Sequence, residues 1–207
     1  MTTTEPIPTP RGDAEVAIDR PNGRARGLLA LGHGAGGGVT TPDLLAVRDA
    51  ATDAGFVVAR ITQPYRVLGR RAPGPAAALD EAWVAAVTAV RQSAGARLPL
   101  VVGGRSAGAR VACRTARALS AAGVLALAFP LHPPGRPERS RADELDPQVR
   151  TLVVNGSADP FGVPSPTGLV EVAVIEGARH DLRRDLAELA QIVGAWLRAT
   201  LRHRRAG

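Results

Sequence analysis

Lysine is absent from this 207-residue sequence, so all 26 of its basic side chains are arginine, set against 19 acidic ones for a net charge of +7. An arginine-only bias with 23 glycines, 17 prolines and abundant alanine reads as GC-rich coding rather than selection for phosphate contacts. The arginines are also scattered. Arg110, Arg114 and Arg117 follow helical spacing, as a solvated helix face would, and the one run, Arg202–Arg205, lies near the C-terminal end. A nucleic-acid footprint calls for clustered charge with interleaved aromatics, and aromatics make up only 3% of the chain. Nucleic acid is therefore not an expected partner. The same scarcity leaves the core to Ala, Val and Leu. A single cysteine, Cys113, excludes an intramolecular disulfide. No apolar run approaches the roughly 18 residues of a membrane helix, the longest lying near Gly123–Leu131, so no membrane partner is expected either. Residues 1–13 are Thr/Pro-rich without an apolar segment and read as a flexible leader rather than a signal peptide. The expectation is one cytoplasmic domain over residues 14–207.

What is present is a rhythm. Short apolar runs alternate with longer helical patterns, which predicts βαβ units in a doubly wound α/β fold with a mostly parallel sheet. Strands are expected at Glu15–Ile18, Gly27–Leu31, Phe56–Ile61, Leu98–Val102, Val124–Phe129, Thr151–Val154 and Glu171–Ile175. Helices are expected from Pro42 to about Ala54, stopped by Gly55, then over Ala76–Ser93, Ala107–Ala122 and Asp181–Leu201. In the last of these, Leu182, Leu186, Leu189, Val193, Trp196 and Thr200/Leu201 recur at steps of three and four. That is one apolar stripe facing a sheet, which makes Trp196 a core residue; Trp83 is read the same way.

The strongest motif follows the strand at Leu98–Val102. Gly104-Arg105-Ser106-Ala107-Gly108 is a G-x-S-x-G sequence in strand–turn–helix context, the setting in which such a turn lifts a serine hydroxyl clear of the sheet. Glycines flank the serine because a Cβ there would meet the neighbouring strand or helix. The amide of Ala107, at the helix N-terminus, would face a developing oxyanion. The plain alternative is a Gly-rich turn with a capping serine.

The loop Gly32-His33-Gly34-Ala35-Gly36-Gly37-Gly38 allows two readings. As G-x-G-x-x-G after a strand it matches a dinucleotide fingerprint, but that motif calls for an acid closing the next strand. Here Phe56–Ile61 is followed by Thr62-Gln63-Pro64, leaving only an NADP-type site built on Arg60. As an H-G-x-G loop it would supply a second oxyanion amide, from Ala35 or alternatively Gly36. His33 is then a structural hydrogen-bonder.

A serine nucleophile needs a base and an orienting acid, and where a G-x-S-x-G turn tops an α/β sheet the acid precedes the base along the chain. Asp159 follows the strand Thr151–Val154 and His180 follows Glu171–Ile175. Both positions lie beyond the carboxyl ends of parallel strands, where open sheets place functional loops. His180 is the candidate base and Asp159 the residue that holds its tautomer. His132 also follows a strand and is a pocket candidate, with His33, Gly36, Tyr65 and Arg66. His203 and Cys113 read as incidental.

These stretches together resemble the small, lid-less α/β-hydrolases of the dienelactone-hydrolase-like group, particularly its KANL/Tex-type branch. The matching pieces are Leu31–Gly37, Pro64–Arg66 with Gly69–Pro73, Gly103–Arg110, Phe129–Gly135, Asn155–Gly162 and Gly177–His180. The resemblance implies a doubly wound sheet and a Ser–His–Asp site with no metal or organic cofactor. It does not imply a substrate; the small-molecule acyl substrate is expected from the serine site and its oxyanion donors instead. Ala107 stands where the branch often has a bulkier residue, which implies a wider acyl pocket. Pro133–Arg150, at the usual cap insertion point, is too short for a lid domain. The leading expectation is a serine esterase or thioesterase. A non-catalytic scaffold of the same fold and an NADP-dependent oxidoreductase are the competing ones.

Overall fold

The computed structural model describes residues 3–145 and 148–203. The rest lies outside the described residues, including the start of the expected leader and the second half of the Arg202–Arg205 run. One eight-stranded sheet runs through the molecule in the order β1-β2-β4-β3-β5-β6-β7-β8. Its strands are β1 (Thr3–Ile7), β2 (Ala14–Asp19), β3 (Gly27–Gly32), β4 (Phe56–Thr62), β5 (Leu100–Arg105), β6 (Gly123–Leu127), β7 (Thr151–Gly156) and β8 (Val170–Ile175). Strands β3 to β8 are parallel, while β2 is antiparallel to both β1 and β4. The central strands are buried along nearly their whole length, which is why their sequences are continuous apolar runs rather than alternating ones.

Helices cover both faces: α1 (Pro42–Asp53) and α5 (Leu186–His203) on one, α3 (Ala76–Gly95) and α4 (Ala107–Thr115) on the other. A short α2 (Pro64–Val67) follows β4, and a 3₁₀ turn occupies Ala142–Leu145. Pro42 opens α1 and Gly55, at φ 90°, ends it, the usual proline-in, glycine-out asymmetry. Both tryptophans are core residues, Trp83 on α3 and Trp196 on α5.

Several expectations are corrected. Residues 3–7, expected within a flexible leader, form edge strand β1, paired from Thr3↔Ile18 to Ile7↔Ala14. Polar and proline-containing sequence is tolerated there because an edge strand has one open side. Strand β5 begins at Leu100 and continues through Gly103 and Gly104, which pair with Leu31 and Gly32 on one side and with Leu125 and Ala126 on the other. A Cβ on Gly103 would lie 2.6 Å from Leu125 O, so glycine is what lets this strand continue, not what ends it. Strand β6 stops at Leu127 because Ala128 turns to φ 44°.

The regular part of α4 ends at Thr115, whose hydroxyl bonds back to Val111 O, and the chain reverses at Ser120, φ 49°. Helix α5 begins at Leu186 rather than Asp181. Asp185 Oδ1 accepts the Glu188 amide at 2.8 Å and so caps it, while Leu182 at φ 52° keeps the preceding residues out of the helix. Nor do Arg110 and Arg114 lie on a freely solvated face. Both pair with Glu144, and Arg114 also with Asp80, tying the 3₁₀ turn and α3 to α4. Burial works against the Glu144 charge, but hydrogen bonds and charge from Arg110 and Arg114 outweigh it and hold this carboxyl below its usual range.

Candidate active site

The carboxyl ends of β3, β5, β7 and β8 converge on one edge of the sheet, and the candidate residues sit in the loops just beyond them. Ser106 follows β5 directly. Its backbone is held at φ 54°, ψ −110°, a region that costs a non-glycine residue on the order of 1–3 kcal/mol. Close packing imposes that turn. A Cβ on Gly104 would approach Gly32 O to 2.7 Å, and one on Gly108 would reach the same carbonyl and His33 O within 2.9 Å. The two glycines let the strand, the turn and the first turn of α4 lie against β3, and the serine takes up the strain.

His180 lies in the loop between β8 and α5. Its Nε2 is 2.9 Å from Ser106 Oγ and its Nδ1 is 2.8 Å from Asp159 Oδ2. The Asp159 carboxyl is fully buried, and its other oxygen accepts the Phe161 amide at 2.9 Å. A carboxylate only accepts, so the imidazole proton sits on Nδ1 and Nε2 faces the serine hydroxyl as an acceptor. Phe161 covers the imidazole with ring centroids 4.2 Å apart. The acid loop is pinned by Asn155, which the sequence reading missed. Its buried amide accepts from Phe129 N and donates to Phe129 O and Gly162 O. A polar residue inside an otherwise apolar strand was the available signal.

On the other side of the serine, the 33–38 loop approaches closely: a Cβ on Gly34 would be 3.5 Å from Ser106 Cβ. Ala107 opens α4, so its amide is one of the helix's free first-turn donors. Tyr65, on α2, donates its hydroxyl to Ala35 O at 3.0 Å and so braces this loop. Gly36 is exposed at its rim. Arg66 turns away to Arg70 O. His132 is not gathered with the triad; its ring is held by Pro133 O and packs where a Cβ on Gly162 would collide. Arg60, the anchor of the dinucleotide reading, is buried and bound to Asp19 and to Val39 O, and α1 opens only at Pro42 rather than at the glycines. Neither feature that a dinucleotide requires is in place.

His33 is a structural residue. The Gln63 amide donates to its Nε2 at 3.0 Å, so its Nδ1–H donates to Gly34 O at 2.9 Å. Burial lowers its pKa; the Gly34 bond raises it and the Arg66 charge lowers it further, leaving it below 6.5. The unfolded chain therefore takes up this proton more readily than the folded one. Its contribution to stability is complete above about pH 6.5 and is lost as pH falls from there toward the folded value. Urea midpoints between pH 7.5 and 5 are expected to fall more steeply for the wild type than for His33→Gln; parallel curves would contradict this. Cys113 is inert in the same structural sense, its thiol pushed up to about 12 by burial.

Arg105 is a second residue the sequence reading passed over. Its Nε lies 3.1 Å from Asp43 Oδ2 and its Nη2 donates to His180 O at 3.2 Å. With Ala158, Pro160, Arg179, His180 and Asp181 it lines a cleft of about 520 Å³ beside the triad. Among the described residues no group of three or more His, Cys, Asp or Glu is placed to hold a metal ion, and no helix is long and apolar enough to cross a membrane.

Known proteins resemble this arrangement. The family described as an alpha/beta hydrolase domain matches residues 25–193. No curated protein matches the chain. Among solved structures, an alpha-beta serine hydrolase homologue from Coxiella burnetii superposes with a TM-score of 0.79 at 22% identity, over 95% of this chain and 98% of that one. A serine hydrolase without a lid from Xanthomonas campestris does so at 0.77 and 22%, over 96% and 94%. A thermophilic carboxylesterase cloned from a metagenomic library reaches 0.73 at 18%, over 97% and 89%. At such identities the likeness to these structures is one of fold.

Proposed function

The chain belongs to the alpha/beta hydrolase domain family, and from that premise we propose that it hydrolyses carboxylic esters or thioesters through an acyl-enzyme on Ser106. The observation that carries the reading is the continuous hydrogen-bonded chain from Ser106 Oγ through His180 to Asp159, with legs of 2.9 and 2.8 Å. In the first half-reaction His180 Nε2 takes the hydroxyl proton as Oγ attacks the acyl carbon. The carbonyl oxygen becomes an oxyanion facing the Ala107 and Ala35 amides, where one donor is worth about 3–4 kcal/mol of barrier. The imidazolium, its charge balanced by Asp159, then protonates the departing alkoxide or thiolate. Water repeats the sequence with His180 again as base, releasing the acid and restoring the serine.

The acceptor nitrogen on His180 supports the role of base, because Asp159 keeps the proton on the other nitrogen. Substrate is expected to be a small acyl compound, since the 520 Å³ cleft opens beside the triad and no cap segment longer than residues 128–150 joins β6 to β7. A fluorophosphonate probe tests the reading directly. The wild type is expected to label on Ser106, with short-chain p-nitrophenyl esters competing and being turned over. A protein that neither labels nor turns over any ester, thioester or amide in a panel would be a scaffold that keeps the fold alone.

A further inference from the structure

We propose that Arg105 is a positioning residue for this reaction, its guanidinium locking the His180 loop and the 33–38 loop onto the nucleophile turn while the buried Asp43 holds it in place. The inference rests on the hydrolase reading above.

Nothing in the turn itself calls for arginine. The strained backbone belongs to Ser106, and the close approaches belong to Gly104 and Gly108. Yet the guanidinium is held by polar partners on two sides and packed closely on a third. Nε faces Asp43 Oδ2 at 3.1 Å, Nη2 donates to the carbonyl of His180 itself at 3.2 Å, and Nη1 lies so near Gly34 that a Cβ there would stand 3.1 Å away. A planar fork with fixed donors can hold several partners in one geometry, which a lysine ammonium cannot. The segments it joins are those that carry the base and the proposed Ala35 oxyanion donor.

Asp43 explains why the fork stays in place. It lies in the first turn of α1 with 1% of its side chain exposed, and its oxygens have no hydrogen-bond donor among the described residues. The contact with Arg105 has the distance of an ion pair but not the angle of a hydrogen bond, so the carboxylate is held by charge. A buried pair of this kind is weak support for stability, because an apolar pair of similar volume can replace it. Its use here is directional. His180 sits in a loop without regular structure between Ile175 and Leu186, and its bond to Arg105 ties the backbone of the base directly to the residue preceding the nucleophile. A displacement of about 1 Å in such a constellation costs on the order of 10²-fold in rate.

The test compares Arg105→Lys, Arg105→Met and the uncharged double variant Arg105→Met/Asp43→Leu with the wild type. Each is assayed on a neutral short-chain ester and on one bearing a carboxylate, with fluorophosphonate labelling rates and thermal melts alongside. Arg105→Met is expected to lose on the order of 10²-fold in kcat and in labelling rate, with KM within about threefold on both esters. The double variant is expected to recover the melting temperature without recovering kcat, and Arg105→Lys to remain folded with about a tenfold deficit. A double variant that regains both stability and kcat would make the pair merely structural and overturn the proposal. So would a loss confined to KM for the carboxylate-bearing ester, which would make Arg105 a binder of substrate anions. A wild type inert to every probe and ester would overturn the hydrolase reading and this one together, whereas an active wild type matched by an undiminished Arg105→Met overturns this one alone.

Discussion

Ser106→Ala is expected to lower kcat by roughly 10⁴- to 10⁶-fold on any ester the wild type turns over, and to abolish fluorophosphonate labelling. The size follows from what the change removes. In the proposed mechanism Oγ is the atom that attacks and the atom whose proton His180, 2.9 Å away, accepts, so without it the base has nothing to deprotonate except water. What remains is the binding cleft and the oxyanion amides, which account for the residual rate. The fold should tolerate the change. The methyl occupies space already given to Ser106 Cβ, the φ of 54° is as accessible to alanine as to serine, and the His180 ring, 18% exposed, can turn to water. A melting temperature near that of the wild type, with KM little altered, is the expected companion result. Retained turnover in a clean preparation would remove Ser106 from the mechanism.

Asp159→Asn is expected to cost about 10⁴-fold in kcat while the loop keeps its shape, because the substitution inverts a proton assignment. In the native site one carboxylate oxygen accepts the Phe161 amide at 2.9 Å and the other accepts His180 Nδ1–H at 2.8 Å. An amide in the same place would keep its oxygen toward the Phe161 N–H, which can only donate, and so present its NH₂ to the imidazole. His180 Nδ1 would then have to accept, its proton would move to Nε2, and the nitrogen facing Ser106 would no longer take a proton. Steady-state kinetics beside labelling rates measure the effect; both should fall together, with near-UV circular dichroism unchanged. If kcat fell by less than tenfold, Asp159 would be a loop anchor and the orienting acid would have to be sought elsewhere.

Much of this site was legible in the residues. Strand–glycine–serine–glycine–helix in one short stretch has few structural meanings, and the order of Ser106, Asp159 and His180, each beyond an apolar run, matched what a base and an orienting acid require. The apolar stripe of the last helix is buried much as its spacing indicated, although Leu186 is only half-buried. Local signals failed at three places, only one of them because the deciding partner is remote in sequence. Residues 3–7 look like a loose leader until β2 is beside them. Gly103 and Gly104 look like the end of a strand until Leu125 and Gly32 show that only glycine fits. Asp181 looks like the start of a helix, although the Asp185–Glu188 cap a few residues later was there to be read.

The sequence by itself determined the class of fold and named the candidate groups on which the proposed chemistry rests, because hydrophobic periodicity and the glycine requirement of a tight turn are local properties. Only the tertiary structure decided how those groups are held. It buried Arg60 against Asp19, so that the glycine loop lost its dinucleotide meaning. It turned His33 into a brace and set Asn155 as a clamp on the acid loop. It placed Arg105 between Asp43 and His180. The physical reason is common to all four: a polar side chain takes its role from whichever partner burial leaves it, and the partners of Arg60, His33, Asn155 and Arg105 are in large part contributed by distant elements.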